Sequence, residues 1–210
     1  MTQDTRRLAP LPADHDPGLQ PQFAGFLNSL GFVPNSVLTM QRKPKLVQAF
    51  MAMQAAIWDP SGKVDRGLKR LIAFAASRTV GDAYSMAHTA SGALHFGITE
   101  DKLDATFDYA TSAHFSAAER AALDLAVHAS RVPHAVTDEA FAALRAHWSE
   151  EEIVEIVATI AMAGFLARWN GTMLTPLEDE PRTVGERHLA KRGWTAGAHA
   201  AADRSPAARR

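Results

Sequence analysis

Apolar residues recur every three to four positions through most of the chain, and no stretch alternates convincingly with period two. The first pattern draws one apolar stripe along a helix, whereas the second would have marked half-buried strands. The spacing predicts helices over 21–31 (PQFAGFLNSLG), 45–58 (KLVQAFMAMQAAIW), 66–80 (RGLKRLIAFAASRTV) and 83–97 (AYSMAHTASGALHFG). It predicts four more over 99–115, 116–130, 137–148 and 149–171. Gly31 closes the first helix, "GFVPNSVLTMQRKP" (31–44) reads as a connection, and Gly81 with Asp82 separates two neighbouring helices. Ser116 with Glu119 and Ser149 with Glu152 fit the capping box, in which side chain and backbone satisfy each other's orphan groups at a helix start. The expectation is an all-α bundle of about eight helices in short-looped antiparallel packing.

The ends depart from this period. Residues 1–18 are Pro-rich and are expected to form a flexible arm, 19–195 a single helical domain, and the Ala/Arg-rich 196–210 a disordered tail. With 210 residues, 47% of them hydrophobic, the chain can bury a sizeable core. A net charge of -1 gives no electrostatic reason to expect nucleic acid or anionic lipid as partner. The most apolar run, 153–167, has 15 residues and contains Glu155, short of the ~20 needed to span a bilayer. No targeting segment is visible, and a cytoplasmic location is expected.

Candidate chemistry gathers in "GDAYSMAH" (81–88). On a helix beginning at 83, Tyr84, Ser85 and His88 share a face, and Asp82 can reach the same end. An imidazole titrates near neutral pH, which makes His88 the candidate general acid/base. Asp82 is either a helix N-cap or a group that orients His88, and one residue can do both. Tyr84 is a candidate donor to a developing enolate or phenolate oxygen. Ser85 is either a small first-turn residue or part of a Ser85–His88–Asp82 arrangement resembling a hydrolase triad. Metal binding by His88 with Asp82 and His114 has no spacing signature, so no metal and no cofactor are expected. His95 falls on nearly the same face two turns on. Arg168, Trp169 and Asn170 end the most apolar helix, as a helix stop or as a pocket wall. Met40, Met51, Met53 and Met86, with Phe50 and Trp58, are core residues or the walls of a cavity for a flat apolar substrate.

"RLIAFAASRTVGDAYSMAHTASGALHFGIT" resembles the carboxymuconolactone decarboxylase/alkylhydroperoxidase D family. "GFVPNSVLTMQRKPKLVQAF", "FSAAERAALDLAVHAS", "FLARWNGTMLTPLEDEP" and "GWTAGAH" extend the likeness to its peroxidase-related branch, over roughly 20–199. The resemblance implies an alkylhydroperoxidase D-like helical bundle that assembles into homo-oligomers. Redox members carry Cys-x-x-Cys, two residues and a His; here Asp82 and Ser85 stand at the cysteine positions and His88 remains. Those members also tend to place a glutamate near the position of Arg70. With zero cysteines in the chain, the thiolate and resolving thiol of a peroxide-reducing cycle are absent. The expected function is cofactor-independent acid–base chemistry of decarboxylase, lyase or isomerase type on a small carboxylated or aromatic compound. His88, Tyr84, Asp82 and Ser85 are the expected catalytic set, and Arg70, Met86, Trp169 and Asn170 the expected substrate contacts. Two alternatives stand beside it: a peroxidase-related protein of oxidative-stress defence, and a non-catalytic small-molecule-binding homologue.

Overall fold

A computed structural model describes residues 7–200, and the fold among them is all-helical. Ten α-helices run in order: α1 Gln20–Leu30, α2 Asn35–Met40, α3 Pro44–Ile57, α4 Arg66–Thr79 and α5 Ala83–His95. They continue as α6 Glu100–Ala105, α7 Ala117–Ala129, α8 Asp138–Arg145, α9 Glu150–Met173 and α10 Asp179–Val184. Both predicted capping boxes are present, at the starts of α7 and α9. The expectation of about eight helices is corrected by two short ones, α2 and α10. Helix 99–115 also shrinks to α6 and a 3-10 turn at Thr106–Asp108.

Helix α4 is the axle of the molecule. Asp65 caps it by accepting from the Leu68 amide at 2.8 Å, and an unbroken buried run from Leu71 to Ser77 packs it against α5, α7 and α9. Such a helix has no solvent face except at its ends, which accounts for the small residues Ala73, Ala75, Ala76 and Ser77. Lys69 is buried to 1% exposure on this helix. Its ammonium lies 2.5 Å from Glu155 of α9 and donates to the Ile57 carbonyl at 3.0 Å. Gly81 then turns the chain from α4 into α5 at φ 73°, a left-handed conformation that a side chain would strain.

Two hydrophobic clusters result. The larger is built on α4, α5, α7 and α9; the smaller gathers Leu19, Phe23, Val37, Met40, Val47 and Phe50 under α1–α3. A cavity lies between them. Within the expected arm, Arg7 donates to the Thr172 carbonyl at 2.7 Å and the Leu11 amide to the Leu38 carbonyl at 3.3 Å. At the other end the packed chain reaches His199, past the expected boundary at 195; residues 1–6 and 201–210 lie outside the described residues.

Candidate functional site

Helix α5 presents two faces. Met86, Ala87, Ala90 and Ala93 pack into the larger core, while Ser85, His88, Thr89 and Gly92 line a cavity of about 300 Å³. Opposite them stand Phe26 and Phe32, Phe50 and Met51 of α3, and Trp58. Arg66, Arg70 and Ser77 of α4 and Met162, Leu166 and Asn170 of α9 complete the wall. The open surface of the cavity is chiefly apolar and aromatic, with polar groups contributed by α4, α5 and α9.

His88 is held from behind by a residue that sequence reasoning missed. Its Nε2 lies 2.6 Å from Glu178 Oε2, and the Tyr84 hydroxyl donates to Glu178 Oε1 at 2.9 Å. The Asn35 amide donates to the same oxygen at 2.5 Å, and the Asn35 side chain donates to the Pro176 carbonyl at 2.9 Å. Burial pushes the Glu178 carboxyl up, but the His88 charge and these hydrogen bonds outweigh it and hold the group below the usual glutamate value. Tyr84 stacks on His88 with centroids 4.4 Å apart, and Phe32 meets the same imidazole edge-on at 6.1 Å. The ring is therefore clamped, with Nε2 committed to Glu178. Nδ1 makes no hydrogen bond to a described residue.

Glu178 reaches this place because Leu174 adopts a left-handed conformation (φ 49°) at the end of α9 and turns the chain back over α5. A non-glycine residue there costs ~1–2 kcal/mol. The C-terminal segment braces the same loop. His199 Nδ1 donates to the Thr175 carbonyl (2.8 Å), its own carbonyl accepts from the Leu177 amide (2.8 Å), and its ring lies 5.8 Å from Tyr84. Glu178 sits inside "LTPLEDEP" and His199 ends "GWTAGAH". Both segments carry the family resemblance, yet neither residue has a spacing relation to His88 that sequence alone assigns.

The expected residues separate into three groups. His88, Ser85, Arg70 and Asn170 do line the cavity, and Tyr84 borders it. Tyr84 is fully committed, however. Burial first and the Glu178 charge second push its phenol well above its ordinary value, so the hydroxyl stays protonated and donates to Glu178 rather than to a substrate oxygen. Ser85 accepts a long 3.4 Å bond from the buried Asn170 and makes none with His88, so the triad-like arrangement does not form.

Asp82 lies behind the wall. It occupies the N-cap position of α5, but its side chain accepts no cap bond, which corrects the capping expectation. Burial pushes its carboxyl up, partly offset by the nearby Ser85 hydroxyl, His199, and the Ser85 and Tyr84 amides; His199 Nε2 is 3.7 Å away. None of these closes a hydrogen bond of good geometry to either oxygen. Met86 and Trp169 do not contact the cavity. Met86 faces the core a third of a turn from Ser85, and Trp169 stacks on Phe165 at 6.3 Å. His114 is exposed in the loop before α7, and among the described residues no group of three or more His, Asp or Glu side chains is placed to hold a metal ion.

Arg70 is the other unusual group. Its guanidinium carbon sits 3.8 Å from the centre of the Trp58 ring and 5.5 Å from that of Phe96. Burial, then the neighbouring Arg66 charge, lower it to about 10, so it stays protonated at neutral pH.

Comparison with known proteins agrees with this fold. The sequence profile described as "Carboxymuconolactone decarboxylase family" matches residues 44–128. A cysteine-to-alanine variant of the debrominase Bmp8 in complex with 2,3,4-tribromopyrrole superposes with TM-score 0.81 at 36% identity, covering 86% of this chain and 96% of that one. The alkylhydroperoxidase AhpD core of a peroxidase-related protein from Ralstonia eutropha JMP134 gives TM-score 0.72 at 24% identity, covering 83% and 94%, and shares the fold. The Escherichia coli K12 protein YnjA is 36% identical over 80 residues, 38% of this chain and 44% of YnjA, so the match spans less than half of that relative. No helix among the described residues is long and apolar enough to cross a membrane. With a bundle of this topology, a structural relative at 36% identity over nearly its whole length and the profile match, the chain belongs to the carboxymuconolactone decarboxylase family and has the alkylhydroperoxidase D-like fold.

Proposed function

We propose that the protein is a cofactor-independent acid–base enzyme that moves a proton to or from carbon in a small planar ring compound, with His88 as the group that carries it. The observation that carries this reading is the 2.6 Å His88–Glu178 contact beside an aromatic-walled cavity. An ionised carboxylate on Nε2 fixes the imidazole orientation and keeps a proton on that nitrogen, leaving Nδ1 to exchange a proton with a bound substrate. Tyr84 and the Asn35 amide hold Glu178 in place, and Asn170 and Ser85 offer polar atoms at the inner end of the cavity. The halogenated pyrrole bound by the Bmp8 variant supports a flat ring as the occupant. A cysteine-dependent reaction is closed to a chain with Cys 0. The reading includes a homo-oligomeric assembly through the outward face of α9.

The test follows proton exchange at carbon across a panel of rings. Pyrrole and benzene carboxylates incubated in D2O with the wild type are expected to gain deuterium at carbon, followed by proton NMR. His88→Asn should slow that exchange by ~10²–10⁴-fold, the usual contribution of a positioned acid–base group. No exchange by the wild type across the panel, or equal exchange by the variant, would overturn the assignment.

A further inference from the structure

We infer that the cavity recognises a carboxylate on the ring of its ligand, held by the edge of Arg70 with Arg66 beside it. This rests on the acid–base reading and deepens it by naming the substrate class.

Arg66 and Arg70 both line the cavity, one helical turn apart on α4, with their guanidinium carbons 4.1 and 5.5 Å from the centre of the same Phe96 ring. Two like charges this close repel, and an anion between them would relieve the repulsion. The described residues supply none. Neither guanidinium makes a hydrogen bond or ion pair to a described residue, and the Nε atoms of both are buried without a partner. The acid in the lining, Glu180, accepts instead from the Ser91 hydroxyl, at 2.8 and 3.1 Å. Glu178, the other acid of the site, is engaged with His88.

The stacking dictates what kind of anion fits. With its face on Trp58 at 3.8 Å, Arg70 has its π surface occupied, and its donors lie in the guanidinium plane around the rim. A planar, two-oxygen acceptor approaching that rim makes paired hydrogen bonds, which is the geometry of a carboxylate. The room for this side chain is built into α5. A Cβ on Gly92 would lie 2.9 Å from Arg70 Cδ and 3.0 Å from Nε, so only glycine lets the guanidinium lie flat across the helix. Gly92 is four residues after His88, one turn or ~5.4 Å along the same face. A carboxylate at Arg70 therefore sets an attached six- or five-membered ring against His88, with Phe32 and Leu166 in the wall around it.

Benzoate, with benzamide as its neutral isostere and acetate as a ringless carboxylate, tests this by isothermal titration calorimetry on the full chain. Benzoate should bind the wild type at least tenfold more tightly than either benzamide or acetate. Arg70→Gln should weaken benzoate at least tenfold and leave benzamide unchanged, and Gly92→Ala, which retains the charge but moves the guanidinium, should weaken benzoate as well. Thermal melts identify a variant that has lost its fold, and Gly92→Ala decides the question if Arg70→Gln does. His88→Asn should still bind benzoate, so a failure of the catalytic assignment leaves this result untouched. Equal affinity for benzoate and benzamide, equal affinity for benzoate and acetate, or benzoate binding indifferent to both variants would overturn the inference.

Discussion

At the scale of single residues, the balance of charge at His88 rests on Glu178. Its carboxylate takes hydrogen bonds from His88, Tyr84 and the Asn35 amide, so removing its charge leaves three donors sharing a neutral side chain. Glu178→Gln is expected to cost about 3 kcal/mol at pH 7, in the range for breaking a buried, hydrogen-bonded pair. Because the folded-state value is depressed, the contribution is fully present above the ordinary glutamate value and is lost as pH falls through the folded one. Urea denaturation of wild type and variant should give a smaller difference at pH 3 than at pH 5. An equal gap at the two would mean that the charge of Glu178 is not what stabilises the fold. His88 is legible in sequence because its neighbours lie on the same helix face. Glu178, Asn35 and His199 are not, since they come from 53 residues before and 90 and 111 after it, and no periodicity relates loops to helices. Met86 misleads for the opposite reason: adjacency in sequence places it beside Ser85, but on a helix adjacent residues point 100° apart.

At the scale of elements, the long helices are readable wherever apolar spacing and a start signal agree, as at Ser116 and Ser149. The two short ones are not. Helix α2 is six residues whose buried members, Ser36, Val37, Thr39 and Met40, include two hydroxyls, and α10 begins with three polar or imino residues, so neither shows a stripe. Their stability comes from tertiary partners: Asn35 at the start of α2 binds Glu178 and Pro176 just before α10. The join between α4 and α9 is hidden as well, because "RGLKRLIAF" opens a helix with three basic residues and nothing in the spacing says that one of them, Lys69, lies inside. Glu155 answers it and also accepts from the amides of Lys63 and Val64, at 2.9 and 3.3 Å, which fixes the turn leading into α4. Lys69→Ala is expected to lower unfolding free energy by about 3–5 kcal/mol, since it leaves Glu155 without its cation and opens a void. Lys69→Met fills most of that void and should cost clearly less. Equal losses for the two variants in chemical denaturation would show that the ion pair, rather than the packing of its stem, supplies the whole effect; no loss in either would remove Lys69 from the account of the fold.

At the scale of the whole molecule, α9 presents a problem that one copy of the chain does not solve. From Ile156 to Ala167 it carries no charged residue on any side, a pattern that belongs to helices buried all round. One side packs on α4 and α5 through Ile153, Ile156, Ile160 and Ala163. The other leaves Val154 67% and Val157 44% exposed, beside a shallow hollow lined by Leu125, Val136, Phe141 and Ile160. Val154 and Val157 lie on one face and Ala161 continues it, with no charged residue between Glu151 and Arg168 on that side. Covering this strip with its equivalent on a second copy would remove it from water on both chains, and a stable contact of that kind buries on the order of 1,200 Å² or more. Sedimentation velocity at micromolar concentration is therefore expected to give a dimer or a larger closed assembly. The double substitution Val154→Lys and Val157→Lys should shift it to monomers with unchanged helical circular dichroism, because both side chains reach solvent in the single chain. Since the cavity wall on α9, at Met162, Leu166 and Asn170, is on the helix's other side, the monomeric variant should keep the wild-type benzoate affinity within about threefold. A wild type that sediments as a monomer at 100-fold higher concentration would mean that the strip is simply solvated surface.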